Sequence, residues 1–248
     1  MRRFIAAPEQ IDGKHIYLTD KEDLHHLRKV LRLSIGDTLD ISDGTAWEYR
    51  AEIISLTEKE ACLTILDKQK FAREPNLLVT LYQGIPKAAK MEGIIQKTVE
   101  LGVHQIVPVF MERTVVVDKG NFEKKLVRWQ KISDEAVKQC KRGYIPKISS
   151  AIYFPQMIAA LKEYELVLFP YENEEKETIK DCLRKITESG ECPKQVAIII
   201  GPEGGFSEKE AAVLCETEAV SVSLGKTILR TETAGPAALA MTMYELEL

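Results

Sequence analysis

Two hydrophobic patterns divide the chain. In the first, Leu24, Leu27, Val30 and Leu31 recur at helical spacing behind Thr19-Asp20-Lys21-Glu22, which has the S/T-x-x-E spacing of a capping box. This predicts an amphipathic helix over 21–33, stopped by Ser34-Ile35-Gly36-Asp37. Apolar and polar residues then alternate over 38–42, 47–55 and 61–66, with Asp43-Gly44 as a turn, which predicts short strands. Strands with one helix suggest a small β-barrel domain over residues 1–70. Lys70-Phe71-Ala72-Arg73-Glu74-Pro75-Asn76 is polar and aperiodic and reads as a linker.

Strands and helices alternate from there on. Leu77–Tyr82 and Gln105–Phe110 read as strands. Between them, Met91, Ile94, Ile95 and Thr98 share one face of a helix over 88–101 that ends at Gly102. Asn121 is placed to cap a long helix reaching about Arg142, with Leu126, Trp129, Ile132, Ala136, Val137 and Cys140 inside and Gly143 and Pro146 as its stop. Leu166–Phe169 and Val196–Ile200 are continuous apolar runs, as in parallel strands buried on both faces. A last helix, rich in Ala and Met, is predicted from about Thr233 to Leu246. The stretch 77–248 is therefore expected to be an α/β domain with a parallel sheet.

Charge refines this picture. The 34 basic and 38 acidic residues leave a net charge of −4, but Lys124–Lys147 holds eight Lys/Arg against two acids. A chain can be acidic overall and still present a basic stripe to phosphates, although a solvated helix face gives the same composition. The five cysteines show no C-x-x-C spacing and read as free, mostly buried thiols. No metal-ligand spacing stands out. Adjacent His25 and His26 point about 100° apart on a helix and do not readily share one ion. The apolar runs are too short for a membrane span, and the four apolar residues after Arg2-Arg3 are too few for a signal peptide, so a cytoplasmic protein is expected.

Two glycine-containing segments follow predicted strands, where open α/β sheets bind ligands. One is Ile200-Gly201-Pro202-Glu203-Gly204-Gly205-Phe206, leading into a second capping box at Ser207–Glu210. The other is Ser223-Leu224-Gly225-Lys226-Thr227-Ile228-Leu229-Arg230-Thr231-Glu232-Thr233-Ala234. Neither is a Walker A loop or a G-x-G-x-x-G fingerprint, which disfavours a nucleotide phosphate site. A structural turn before a helix is the plain reading of the first.

Together, Gly201–Phe206, Leu224-Gly225 and Ile228–Ala234 resemble the signature of the 16S ribosomal RNA uracil-N3 methyltransferases, members of the knotted SPOUT superfamily. The resemblance extends to His25-His26-Leu27, Val30-Leu31-Arg32 and Gly36-Asp37 near the start. It continues through Lys87, Lys97, Glu100-Leu101-Gly102-Val103, Glu112-Arg113, Arg128-Trp129, Glu135-Ala136, Gln139, Arg142 and Pro146. Ala88-Ala89-Lys90 and Cys140-Lys141 depart from the usual residues. The resemblance implies an N-terminal PUA-like RNA-binding barrel, a SPOUT α/β domain with a C-terminal trefoil knot, and a homodimer, to whose interface Pro236, Leu239, Met241 and Met243 would contribute. It also implies S-adenosylmethionine as methyl donor and no metal. The donor would be held by Phe169, Pro170 and Tyr171, by Ile200, Gly201, Pro202, Glu203, Gly204 and Gly205, and by Ser223, Leu224, Gly225, Ile228, Leu229 and Arg230. Recognition by backbone groups would explain the glycines, because a Cβ would block close approach.

The reaction so implied is a one-step displacement at N3 of a specific uridine in 16S ribosomal RNA of the small subunit, with the base turned out of its stack. Arg230 is placed to steady negative charge on the uracil oxygens, and Glu203 or Glu232 to accept the proton. Capping is the alternative reading for each glutamate. Arg2, Arg3, His25, Arg28, Lys29, Arg32, Lys87, Lys90, Arg113 and Arg142 are candidate RNA contacts. A SPOUT enzyme acting on another RNA or on a ribose 2′-oxygen, and an RNA-binding or assembly protein without catalysis, are the competing readings.

Overall fold

The computed structural model describes residues 3–45, 47–70, 74–117 and 122–248, Arg3 by its backbone alone. The chain folds as two compact units. One takes the chain up to Glu74 together with Val137–Ile145, and the other takes Pro75–Ala136 and Pro146–Leu248.

The first unit is a curled five-stranded sheet built from β1 (Arg3–Ile5), β2 (His15–Leu18), β3 (Thr38–Ser42), β4 (Trp47–Leu56) and β5 (Ala61–Lys70), in the order β1-β3-β4-β5-β2. Alternation places Leu39, Ile41, Ala51, Ile53 and Leu63 on the inner face, against Phe4, Ile16, Leu18, Leu24 and Leu27. The three expected strands are present. β1 and β2, three and four residues long, carry too little alternation to be read from sequence.

The helix expected over 21–33 is shorter. α1 spans Lys21–His25, and the chain then widens into a π-type turn over His26–Val30 that closes with Arg32 at φ 53°. Its cap is Asp20, whose carboxylate accepts the amides of Glu22 (2.9 Å) and Asp23 (3.0 Å). Thr19 instead accepts the side-chain amide of Gln10 at 3.2 Å. Of the proposed linker, Phe71, Ala72 and Arg73 lie outside the described residues.

The second unit carries seven strands, all parallel. These are β6 (Leu78–Gly84), β7 (Gln105–Phe110), β8 (Lys147–Ile148), β9 (Ile152–Tyr153), β10 (Leu166–Pro170), β11 (Gln195–Ile200) and β12 (Val220–Val222). The order is β12-β10-β11-β6-β7-β8, with β9 also on β7. Around the sheet run α2 (Lys90–Glu100), α3 (Phe122–Cys140), α4 (Phe154–Ala160), α5 (Ile179–Ser189), α6 (Glu208–Cys215) and α7 (Thr231–Leu246). The continuous apolar runs are explained by two covered faces: Ala197 and Ile199 join Val167, Phe169, Phe206 and Leu214, while Ile200 and Leu81 meet Gly235 of α7. Asn121, the expected cap of α3, lies outside the described residues.

Two expectations change here. Leu239 and Met243 are buried in the chain's own core, so on α7 it is Met241 and Tyr244 that face outward. None of the five cysteines is in a disulfide, yet Cys192 and Cys215 are exposed and only Cys182 is fully buried. Among the described residues no helix is long and apolar enough to cross a membrane.

Candidate functional site

Parallel strands end together at their carboxyl edge, so the loops after β10, β11 and β12 converge there. They enclose a cleft of about 770 Å3. The loop after β10 contributes Pro170 and Tyr171, the loop after β11 (the floor loop) Ile200, Gly201, Pro202, Glu203 and Gly205, and the loop after β12 Ser223, Leu224, Gly225, Ile228, Leu229 and Arg230. Thirteen of the expected cofactor residues thus come together. Phe169 does not line the cleft; it is buried beneath it, edge-on to Phe206 at 6.1 Å. Gly204 is also absent from the lining, and its carbonyl accepts an Arg113 N–H at 2.7 Å. Glu172, Glu174, Glu175 and Thr178 join the lining without having been anticipated. They come from the acidic stretch after β10, which only the fold brings over the cleft.

The floor loop is fixed from below. Buried Gln83 donates to Thr231 Oγ1 at 2.9 Å, and that hydroxyl donates to the Gly201 carbonyl at 2.7 Å, tying the end of β6 and the start of α7 to the loop. A Cβ on Gly84 would sit 2.6 Å from the Pro202 nitrogen, and one on Gly201 3.1 Å from the Gly205 carbonyl carbon. Glycine at 201 therefore lets the loop fold on itself, a packing reason for its missing Cβ. The capping box forms as expected: Glu210 N donates to Ser207 Oγ at 3.2 Å and Ser207 N to Glu210 Oε2 at 3.0 Å. Ser207 Oγ in turn donates to Glu112 Oε2 at 2.7 Å.

On the rim, Lys90 Nζ lies 3.2 Å from Glu203 Oε1 and 3.3 Å from Glu232 Oε2, so one ammonium bridges two carboxylates. Glu203 Oε1 also accepts the Lys87 amide at 2.9 Å. Burial pushes the Glu203 carboxyl up, but its own backbone amide, that of Lys87 and the Lys90 charge outweigh it and hold it below the ordinary range. Glu232 is lowered chiefly by its backbone amide at the start of α7, which with Lys90 and Arg230 outweighs the opposing effect of burial. Hydrogen bonding to Glu203, then to Glu232, raises Lys90. All three groups are charged at neutral pH. Arg230 sits beside them as the cap residue of α7, exposed on the cleft wall.

The expected RNA contacts separate. Arg142 is a correction: its side chain is 8% exposed and grips Glu74, with Nη2 2.8 Å and Nε 3.1 Å from Oε2. A buried guanidinium committed to a carboxylate does not reach phosphate. Lys90 is engaged by its two carboxylates, and Arg113 by Gly204. His25, Lys29, Arg32 and Lys87 are exposed, and Arg28 is half-buried, 3.6 Å from Glu58. Arg2 lies outside the described residues and Arg3 is known only as part of β1. The described residues hold no cluster suited to a metal ion.

Comparison with known proteins agrees with this geometry. Residues 73–243 match the family model of an RNA methyltransferase domain, and residues 18–66 that of an RNA methyltransferase PUA domain. The ribosomal RNA small subunit methyltransferase E of Bacillus subtilis is 32% identical, over 100% of this chain and 97% of its own length. That of Synechocystis is 34% identical over 99% of this chain and 78% of its own. The crystal structure of the Neisseria gonorrhoeae methyltransferase E, bound to S-adenosyl methionine, superposes with a TM-score of 0.84 at 30% identity and covers 98% of this chain and 97% of its own. A Legionella pneumophila methyltransferase with bound SAM gives 0.84 at 32% identity, over 98% and 96%. Both family models and the near full-length similarity lead to one conclusion: this chain belongs to the RNA methyltransferase family that includes the ribosomal RNA small subunit methyltransferases E.

Proposed function

We propose that this protein transfers the methyl group of S-adenosylmethionine to N3 of one specific uridine in 16S ribosomal RNA, acting on the small ribosomal subunit in the cytoplasm. The observation that carries the reading is the three-loop cleft at the carboxyl edge. Its lining holds five carboxylates (Glu172, Glu174, Glu175, Glu203 and Glu232) against three cations (Lys90, Lys226 and Arg230). That balance suits a cationic sulfonium and repels a polyphosphate. The residues fit the donor: backbone from three loops for polar contacts, and Tyr171, Phe206, Leu224 and Ile228 for its apolar parts. When bound, the donor supplies an activated methyl group.

The chain's own residues do the rest. Arg230 stabilises the negative charge that develops on the uracil oxygens as the N3 proton leaves. Glu203 or Glu232, ionised at neutral pH, accepts that proton, at the cost of some basic strength. The first unit acts as a PUA-like barrel that presents Arg28, Lys29, Arg32 and His25 to phosphates, together with Arg2 and Arg3. Lys87 and Arg113 serve the same end beside the cleft. In this reading the chain near β11, β12 and α7 forms a trefoil knot, and α7 pairs two copies through Met241 and Tyr244.

Incubation with labelled S-adenosylmethionine and unmethylated small subunits, followed by mass analysis of the digested RNA, tests it. One 3-methyluridine is expected. Donor binding without that product would point to another RNA or a ribose oxygen; neither binding nor product would leave a non-catalytic RNA-binding protein. Arg230→Ala is expected to lower methyl transfer by about 100- to 1,000-fold while leaving donor affinity within a few-fold of wild type.

A further inference from the structure

A second feature shares the carboxyl edge with the cleft. Four aromatic rings form a ladder there. Trp129 and Phe122, both buried, meet edge-on at 5.4 Å; Phe122 meets Phe110 at 5.3 Å; and Phe110 stacks on Tyr153 at 5.3 Å with 29° between the planes. Tyr153 is the outer rung and remains 61% exposed. Its position follows from register. Phe110 and Tyr153 are opposite one another as the last residues of β7 and β9. The backbone is held too, since Tyr153 N donates to Gln156 Oε1 at 2.8 Å at the start of α4. A large ring, anchored from beneath and open above, requires no ordering when something stacks on it.

The surroundings say what stacks. Lys125 Nζ lies 5.4 Å from the Phe122 ring centre, and its neighbour Lys124 is exposed, so cations stand at the Phe122 end of the ladder. Three strand spacings separate β9 from β11, about 14 Å along the same edge as the floor loop. Phe110 is followed three residues later by Arg113, which holds Gly204 of that loop. Exposed aromatic faces with flanking lysines are how single-stranded nucleic acid is held without sequence readout. A second copy of the chain would bury apolar side chains but gains nothing from flanking lysines.

We propose that Tyr153 is a stacking platform for an unpaired base of the RNA substrate, next to the target nucleotide. The proposal rests on the methyltransferase reading above but is read out separately from it. Tyr153→Ala is expected to raise KM for unmethylated small subunits and Kd for oligouridylate roughly 5- to 150-fold, the worth of one stacked base, with kcat and donor affinity unchanged. Tyr153→Phe keeps wild-type values, because stacking needs the ring and not the hydroxyl. In Tyr153→Trp, oligouridylate quenches the fluorescence added above that of Trp47 and Trp129. Wild-type KM in the alanine variant, or an unquenched Trp, overturns the platform. So does quenching that needs no RNA and disappears on dilution, which would mean a second copy covers the ring. Quenching is read without turnover, so a wild-type protein that methylates nothing would break the functional reading while leaving this test intact.

Discussion

Two charged constellations carry similar chemistry and opposite exposure. In the first unit, the Arg142 side chain is buried and Glu74, itself 19% exposed, is held on all sides by donors. Besides the guanidinium contacts, Glu74 Oε1 accepts the amides of Gly143 at 2.7 Å and Tyr144 at 3.1 Å. Every lone-pair direction of that carboxylate is used, and the turn after α3 is fixed by it. In the second unit, Lys90, Glu203 and Glu232 stand on the cleft rim with about a quarter to a third of each side chain exposed. Their net charge of −1 faces the cleft. A fully satisfied buried pair is a structural tie, whereas a partly wet and unbalanced cluster can exchange partners when a charged substrate arrives. Burial, not residue type, separates a brace from a site.

The sharpest way to break this comparison is Arg142→Ala. It removes a buried guanidinium and leaves the half-buried Glu74 without its cation, and is expected to cost up to about 3–5 kcal/mol of folding stability. Urea unfolding monitored by circular dichroism measures it. A loss below about 1 kcal/mol, with RNA binding weakened instead, would return Arg142 to the RNA surface. Lys90→Met should do the reverse. Ion pairs this exposed contribute little to stability, so the unfolding midpoint stays near wild type. Methyl transfer is expected to fall by up to about 100-fold, because the floor loop and the start of α7 lose their shared anchor. Lys90→Arg restores most of the rate. A variant that keeps full activity would show the cluster to be decoration on the rim.

How much of this was legible beforehand depends on how local the cause is. The buried runs at 166–169 and 196–200 announced parallel strands because both faces are covered. The floor loop is legible because a strand, three glycines and a capping box follow one another within the fifteen residues 196–210. The ion pairs were not. Glu203 pairs with Lys90 across 113 positions, and Arg142 with Glu74 across 68. A basic residue near a helix end looks the same in sequence whether it faces phosphate or a buried carboxylate. The π-type turn after His25 escaped for a related reason: Leu27, Val30 and Leu31 satisfy helical spacing, and only packing decides that the turn widens. In sequence Arg230 and Glu232 stand out as neighbours, while Lys90, the group between the two glutamates, reads as an RNA contact.

A neutral counterpart sharpens the contrast. Ser207 is buried, uncharged and bonded to both Glu210 and Glu112, so Ser207→Ala should fall between the two ionic cases, at about 1–2 kcal/mol of stability. Differential scanning calorimetry distinguishes this from the larger Arg142 effect. A loss as large as that of Arg142→Ala would mean that the hydroxyl to Glu112, and not the cap, dominates.

The smallest expected effect is in pH. Glu203 and Glu232 are held below their ordinary 4.5 in the folded state, so their contribution is present above that pH and is lost as pH falls through the folded values. Lys90 is raised above its ordinary 10.5, so its contribution is complete below that pH and is lost as pH rises through the folded value. The cluster is therefore intact from roughly pH 5 to pH 10, and no limb of the activity profile between pH 6 and pH 9 should arise from it. Replacing Lys90 by Met removes one cause of the low carboxylate values. The difference in thermal midpoint between wild type and Lys90→Met, already modest at neutral pH, should shrink toward zero as pH drops below 4.5. A difference that stays constant down to pH 3 would mean that Lys90 stabilises the rim through its aliphatic stem and not through its charge.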